Sequence, residues 1–162
     1  MSTNPHEEPV DWAAWYDAVL DALVEAITGA GVDWATDPDG NPYVIEGQTR
    51  PSGVGHPHAM ILEFRKTEPQ GSSTRAAELR GIETSFSIFD EGDAQAPEEN
   101  LRRTLRQMGT VENAIYANRS LDQTCREVTV TEADAFELEA DSGRETVANV
   151  SLEILKTAEH PH

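Results

Sequence analysis

Two stretches near the end of the chain alternate apolar and polar residues, and no other feature limits the possible folds as strongly. Successive side chains of a β-strand point to opposite faces, so a period of two predicts strands with one apolar face. The intervening Asp141, Ser142 and Gly143 have the composition of a tight turn. The pattern predicts a long hairpin with one buried face. The residues predicted to be buried are Val128, Val130, Phe136, Leu138, Ala140, Ala148, Val150, Leu152 and Ile154.

The first part of the chain has the periodicity of an amphipathic helix. From Trp12 to Ile27 the apolar residues recur at spacings of three and four. Asp11 is suited to cap the amino end, and Gly29 is suited to end the helix. We therefore predict one helix of about five turns in this segment.

A second helical segment follows an acidic turn. Pro97 suits the first position of a helix, and the next two residues are glutamates, which complement the positive end of the helix dipole. Gly109 and Thr110 are predicted to interrupt this helix, with Thr110 capping a second short one. The buried stripe before the break is predicted to consist of Leu101, Leu105 and Met108.

Two alternating segments in the middle of the chain, Ala59–Lys66 and Gly81–Phe89, predict a second pair of strands. The connection between them, residues 67–79, contains Pro, Gly, Ser and Thr, and we expect a long mobile loop at the tip of a protruding hairpin. One face of the first strand is predicted to carry Met60, Leu62 and Phe64.

The order of these elements is helix, two strands, helix, two strands. Such an order predicts an α+β fold, with a mostly antiparallel four-stranded sheet and helices packed on one face. A length of 162 residues suits one domain with a substantial core. We expect a flexible leader at residues 1–9, a single domain at 10–157 and a flexible tail at 158–162.

The charge of the chain is strongly unbalanced, with 30 acidic residues, 12 basic residues and a formal charge of −18. Ten of the basic residues are arginines, and only Lys66 and Lys156 are lysines. An acidic surface poor in lysine keeps a protein hydrated in concentrated salt, so we expect a protein of an extreme halophile or of its virus. The alternative is an ordinary acidic protein. Either way, this charge argues against non-specific binding of nucleic acid and against docking on an anionic membrane.

Several features bear on where the chain works. Cys125 is the only cysteine, which excludes an intramolecular disulfide, and its position favours a small core residue over a nucleophile. The amino end is acidic and lacks an apolar run, so no secretory signal is expected. No apolar segment is long enough to span a membrane. We expect a protein that remains in the cytoplasm or in a particle assembled there.

The sequence offers little that resembles a catalytic or metal site. His56 and His58 flank a proline and offer two imidazoles, but no Cys or paired carboxylate accompanies them at a recognisable spacing. A Gly-x-Ser-x-Gly nucleophile motif does not occur. We therefore expect neither an enzyme nor a protein with a metal or cofactor, and a structural role for the histidines.

Arginines are concentrated on the second predicted helix, at Arg102, Arg103 and Arg106. They either pair with nearby acids at helical spacing or form a subunit contact that meets the acidic face of a neighbour. Both interpretations stay open. Arg75 and Arg80, at the end of the long connection, are further candidates for a subunit contact.

This organisation resembles that of the tail terminator, or tail completion, proteins of long-tailed viruses. The likeness extends over most of the chain, from about Asp11 to Thr157. It is carried by the opening helix VDWAAWYDAVLDALV (10–24), the strands AMILEF (59–64) and ETSFSIFD (83–90), the helix NLRRTL (100–105) and the strand VSLEIL (150–155). Together with the composition, it implies a virus of a haloarchaeon.

The resemblance implies a small α+β subunit that forms a hexameric ring on the finished tail tube. Such a ring ends tube growth and provides the surface on which the DNA-filled head docks. The implied partners are the tail tube protein, a neck or stopper protein and DNA passing through the lumen without sequence-specific binding, at the head–tail junction of the virion. The alternatives are another neck or tail component, a cellular halophilic ligand-binding domain and, least favoured, a small enzyme that uses His56 or His58.

Overall fold

A computed structural model of the chain describes residues 11–47, 49–51, 53–69, 77–92, 95–140 and 143–159. Within these ranges, two helices and five strands occur in the chain order α1, β1, β2, β3, α2, β4, β5. Their bounds are α1 Trp12–Thr28, β1 Val44–Glu46, β2 His58–Pro69, β3 Ala77–Gly92, α2 Pro97–Ala117, β4 Glu127–Ala140 and β5 Gly143–Glu159. The predicted leader lies outside the described residues, and β5 extends two residues beyond the predicted end of the domain.

The five strands form one mixed sheet in the order β1-β2-β3-β5-β4. The α+β class is therefore confirmed, but the sheet has five strands and not four. The additional strand is β1, which has only three residues and pairs in parallel with β2, from Val44 opposite Ala59 to Glu46 opposite Ile61. Its short length explains why the sequence did not predict it, because no period can be recognised in three residues.

Both helices share one core with a single face of the sheet, which we call the helix face. α1 begins and ends as predicted: the Asp11 carboxylate accepts a hydrogen bond from the Ala14 amide at 3.0 Å, and Gly29 follows the last helical residue. The strand residues in this core are Ala59, Ile61, Ile82, Phe86, Ile88, Val128, Ala148, Val150, Leu152 and Ile154. β2 thus contributes Ala59 and Ile61 to this core, while the predicted apolar position Met60 pairs with Ser87 on the opposite face, which we call the back face. The side chains of Leu62 and Phe64 lie outside the described part.

The predicted alternation fails in the middle of β4. Val130 is opposite Leu152 and Glu132 is opposite Ser151, so two residues of β4 face one residue of β5. This β-bulge shifts the alternation by one residue, because each added residue exchanges the two faces for the rest of a strand. Phe136 and Leu138, which were predicted to be buried, are therefore both 41% exposed on the back face.

α2 also differs from the prediction. It is continuous from Pro97 to Ala117, so neither Gly109 nor Thr110 interrupts it. The Thr110 hydroxyl donates to the Arg106 carbonyl within the helix at 2.9 Å and does not cap a new one. The buried residues of α2 are Asn100, Thr104, Val111 and Ile115, while Leu105 is 43% exposed and Met108 is only partly buried.

The buried stripe of α2 is displaced because its first half packs on a polar part of the sheet. The hydroxyl of Thr104 is hydrogen-bonded to the hydroxyl of Thr146 on β5 and also donates to the Asn100 carbonyl at 3.1 Å. Buried polar groups that are hydrogen-bonded in this way are tolerated in a core. The buried stripe predicted from the apolar residues was therefore wrong for the first half of α2.

Strands β2, β3 and β5 continue past the last core residues that the structure describes. In β3 and β5, the paired residues Ile82 and Ile154 are the last members of the core that the structure describes. The ladder nevertheless runs five pairs further, to Ala77 opposite Glu159, and β2 accompanies it as far as Pro69. The predicted connection at 67–79 is therefore strand at both ends, and its central residues 70–76 lie outside the described part.

Candidate assembly surfaces

The structure separates the three predicted arginines of α2 from one another. Arg103 turns toward the sheet, where its Nε donates to Asp90 Oδ2 at 2.8 Å and its guanidinium also donates to the Glu91 carbonyl. Asp90 is buried, and its carboxylate also accepts from Gln107 Nε2 at 2.9 Å. Arg103 thus joins α2 to β3 within the subunit, although its partner is 13 residues away in the chain and not at the predicted helical spacing.

Arg102 and Arg106 lie on the outside of α2 and are exposed. Arg102 pairs with Glu99 at 3.4 Å, but both side chains are more than 60% exposed, so this pair contributes little to stability. Arg106 makes no ion pair with any residue in the described ranges. Between them lies Leu105, which is 43% exposed. We call Arg102, Leu105 and Arg106 the α2 outer face.

The other two candidate arginines are less informative. Arg75 lies outside the described residues. Arg80 belongs to β3, where its backbone pairs with Pro69 on one side and with Lys156 on the other. Its side chain lies outside the described part of the chain.

A second exposed surface is formed by β4 beyond the bulge. β4 is an edge strand of the sheet. On the back face it presents four exposed side chains at a spacing of two residues, two acidic and then two apolar. We call these residues, Glu132, Asp134, Phe136 and Leu138, the β4 outer row.

Phe136 belongs to an apolar line that crosses four strands on the back face. The pairing places it opposite Val147, Val147 opposite Phe89, and Phe89 opposite His58. Val147 and Phe89 are buried, whereas Phe136 at the edge is 41% exposed. The line is therefore covered at its inner end and open at its outer end.

The cover of Phe89 is an arginine from the segment between β1 and β2. The Arg50 guanidinium carbon lies 4.0 Å from the centre of the Phe89 ring, and the His58 ring stacks on Phe89 at 5.2 Å with an interplanar angle of 17°. A cation over an aromatic face is attracted by the ring quadrupole. Arg50 is thus held against the sheet.

Glu145 of β5 anchors this arginine. Arg50 donates to both carboxylate oxygens of Glu145, at 2.6 and 2.9 Å, and His56 Nε2 lies 2.7 Å from one of them. The Glu145 side chain is only 7% exposed. The hydrogen bonds from Arg50, opposed in part by burial and supplemented by His56, lower the pKa of Glu145 from 4.5 to about 2. Glu145 is therefore a buried carboxylate whose negative charge is compensated.

His58 is held as the neutral imidazole. Its Nδ1 lies 2.8 Å from the Gly55 carbonyl, which can only accept a hydrogen bond, so this nitrogen carries the proton. Nε2 is then free to accept from Arg50 at 3.4 Å. Burial is the largest cause that lowers the pKa of His58, and the positive charges of Arg50 and His56 lower it further. The two histidines thus help to hold Arg50 and Gly55 on the back face.

No set of three or more His, Cys, Asp or Glu side chains within the described ranges is placed to hold a metal ion. The sequence indicates His56 and His58 as candidate residues, but their main partners, Arg50 and Glu145, were not predicted. Glu145 carried no signal, because it is a polar residue at a position predicted to face solvent. An arginine in a chain with so few basic residues was the one available indication for Arg50.

The sequence matches no protein-family model and no curated protein. Among the helices in the described part of the chain, none is long and apolar enough to cross a membrane.

Proposed function

We propose that this chain is a non-enzymatic structural protein of the head–tail junction in a long-tailed virus. In this proposal it forms a ring that caps the tail tube, ends tube growth and provides the docking surface for the head. The resemblance of its sequence to tail terminator proteins supports the assignment, and the α+β fold agrees with the class that this resemblance implies. The observation that carries the proposal is that one subunit has two exposed and chemically different surfaces, the α2 outer face and the β4 outer row.

Two unlike surfaces on one subunit are what a ring requires. A contact between identical patches makes a two-fold dimer, whereas a contact between different patches passes from copy to copy and closes into a ring when the rotation allows it. The α2 outer face combines two positive charges with Leu105, and the β4 outer row combines two negative charges with Phe136 and Leu138. Each surface lacks the charge that the other supplies.

The extension of β2, β3 and β5 supports a role in assembly as well. These strands remain paired for several residues beyond the last described core positions. Long paired strands at one end of a sheet can reach a neighbouring subunit or the rim of a tube. We propose that this extension contacts the tail tube protein or the neck protein.

The acidic character of the chain suits passage of DNA through a ring. With a formal charge of −18, the subunit gives a ring whose surfaces mostly repel phosphate, so DNA would slide through without adhering. An experimental ring structure with a basic lumen would refute this part of the proposal.

The same composition supports a haloarchaeal host. Salt at molar concentration reduces the range of charge repulsion to about 3 Å, which makes a highly acidic surface tolerable. We expect the midpoint of thermal unfolding to rise with KCl concentration up to the molar range. A midpoint that stays constant or falls would contradict a halophilic origin.

The direct test is tube capping. Purified protein is added to assembling tail tubes built from the tube protein encoded near it, and tube lengths are measured by electron microscopy in KCl. We expect shorter tubes, each with a ring at one end. Tubes of unchanged length without a terminal ring would contradict the proposal, as would a gene neighbourhood without portal, capsid and tape-measure genes.

The second candidate function is a ligand-binding domain that uses the open back face. It is favoured by a pocket of about 230 Å³ beside the bulge, lined by Glu83, Ser85, Thr131, Glu132 and Ser151 among others. The lining is mainly polar and acidic, so a small cationic or polyhydroxy ligand would suit it. Saturable binding of such a compound at micromolar concentration, measured by calorimetry and lost in Glu132→Gln, would favour this function over the first.

A further inference from the structure

We propose that the α2 outer face of one copy docks on the β4 outer row of the next copy, and that this contact repeats around the ring. The proposal rests on the proposed function in that both require self-assembly, but it names the two surfaces that meet. It predicts that Arg102 and Arg106 approach Glu132 and Asp134 of the neighbour, with Leu105 against the exposed apolar pair of β4.

The two surfaces cannot satisfy each other within one chain. α2 packs on the helix face of the sheet and turns Arg102 and Arg106 away from it. The β4 outer row projects from the back face, because the bulge at Thr131 reverses the alternation. Since the sheet lies between them, only different copies can bring the two surfaces together. The contact is therefore head-to-tail.

The molecule already contains one example of this chemistry. On the back face, Arg50 lies over the Phe89 ring and donates to the neighbouring carboxylate of Glu145. Two strands beyond Phe89 along the same apolar line, Phe136 is exposed and Asp134 precedes it by two residues on the same face. An arginine from the next copy would form the same grouping of cation, aromatic ring and carboxylate at the edge of the sheet.

The apolar residues at this edge also indicate a partner. An edge strand with exposed apolar side chains favours association with other chains unless it is covered or blunted by charge. Here Phe136 and Leu138 are exposed on such a strand, next to two acids. A partner surface with positive charges and one apolar side chain covers this combination. Contact pairs of this kind persist in salt better than long-range attraction does, because closely apposed charges are screened less.

The test uses charge reversal on each surface in turn. Variant A carries Arg102→Glu and Arg106→Glu, and variant B carries Glu132→Arg and Asp134→Arg. Each variant alone would place like charges against each other, so we expect the ring to be lost and the monomer to remain in sedimentation velocity. In an equimolar mixture, A and B complement each other at both contacts when they alternate, so rings with an even number of subunits should return.

The matched control is Asp17→Arg with Asp21→Arg, which makes the same charge change as variant B at two exposed positions on α1. We expect this variant to assemble like the wild type. Circular dichroism and thermal unfolding of all variants separate a lost contact from a lost fold. A variant that unfolds is replaced by its neutral form, Arg102→Gln with Arg106→Gln or Glu132→Gln with Asp134→Asn, for which partial loss of the ring is expected.

Three results would overturn the inference: wild-type protein that stays monomeric at its highest soluble concentration, rings in A or B alone, or a mixture that does not recover. A β4 outer row that instead receives the tube protein would leave B assembled with itself but unable to cap tubes, and this result also rejects the inference. Capping and self-association are measured separately, so the experiment can show that the wild type caps tubes even when the proposed contact is not found. In that case the proposed function survives and the inference does not.

Discussion

The two faces of the sheet are made by alternate residues of the same strands, yet they are organised in different ways. The helix face is closed by α1 and α2 over an apolar core in which Phe86, Val150 and Leu152 are almost completely inaccessible to solvent. The back face is held at one end by the ion cluster of Arg50 and Glu145, and it is exposed along β4. The apolar core is thus concentrated on the helix face, and the back face keeps exposed side chains along β4.

Strand β4 belongs to both arrangements. Before the bulge, Val128 is completely buried on the helix face, and after it the large apolar side chains point to the back face. The edge of β4 is also protected only at its beginning, where the amides of Val128 and Val130 donate to the Arg119 carbonyl and the Tyr116 hydroxyl. One extra residue thus divides β4 into a part that packs in the core and a part whose large apolar side chains are exposed.

A matched pair of phenylalanine substitutions gives the largest expected difference in stability between the two faces. Phe86→Ala on the helix face should lower the free energy of unfolding by about 3–5 kcal/mol, because it leaves a cavity in a closed core. Phe136→Ala on the back face should change it by less than about 1 kcal/mol, since the ring is already 41% exposed. Urea unfolding measures both. Similar losses in the two variants would show that the faces do not differ.

The ion cluster gives the next largest effect. Glu145→Gln removes the charge that holds Arg50 and should lower the free energy of unfolding by about 2–3 kcal/mol at neutral pH. Because the pKa of Glu145 in the folded protein is about 2 and its ordinary value is 4.5, this contribution is complete above pH 4.5 and is lost as the pH falls toward 2.

The difference in stability between wild type and Glu145→Gln should therefore shrink over this acid range. Glu83→Gln, at an exposed position of the same face, is the control and should change stability by no more than about 0.5 kcal/mol. A difference between wild type and Glu145→Gln that stays constant from pH 5 to pH 2 would exclude the cluster as its source.

Deleting one residue tests the bulge itself. Removal of Thr131 should cost no more than about 1 kcal/mol, because it turns the bulge into a regular ladder and leaves every later residue of β4 on its present face. Removal of Thr129, in the regular part, should be far more damaging, since it exchanges the faces on one side of the deletion. If both deletions unfold the protein equally, the position of the bulge is wrong.

The smallest effect concerns His58. Its pKa is lowered in the folded state, so the unfolded chain takes up the proton first as the pH falls below 6.5, and stability should decrease from there until the folded state is also protonated. His58→Asn retains a donor for the Gly55 carbonyl and should remove this part of the pH dependence. His56→Gln retains an N–H group for Glu145 and removes only a smaller cause of this shift, so it should reduce the pH dependence in part. Urea unfolding between pH 7 and pH 5 measures both.

The α+β class, the position of α1, the start of α2, four of the five strands and the caps of α1 at Asp11 and Gly29 could be predicted from the sequence. These features depend on neighbours in the chain, through periodicity and local hydrogen bonding, and so they can be recognised in the sequence. The wider assignment to a virion rests on the order of the elements and on composition, and it stays a prediction.

Which side chains reach solvent depends on the tertiary structure and could not be predicted from the sequence alone. The bulge in β4 brought Phe136 and Leu138 to the surface. Its one trace in the sequence is that Glu132 and Asp134 occupy positions of the predicted apolar face. The partners of Arg50 and Arg103 are 95 and 13 residues away in the chain, and only folding brings them into contact. A pattern of residues gives the period of a strand, but the face on which it is buried depends on register, which is set by the strand beside it.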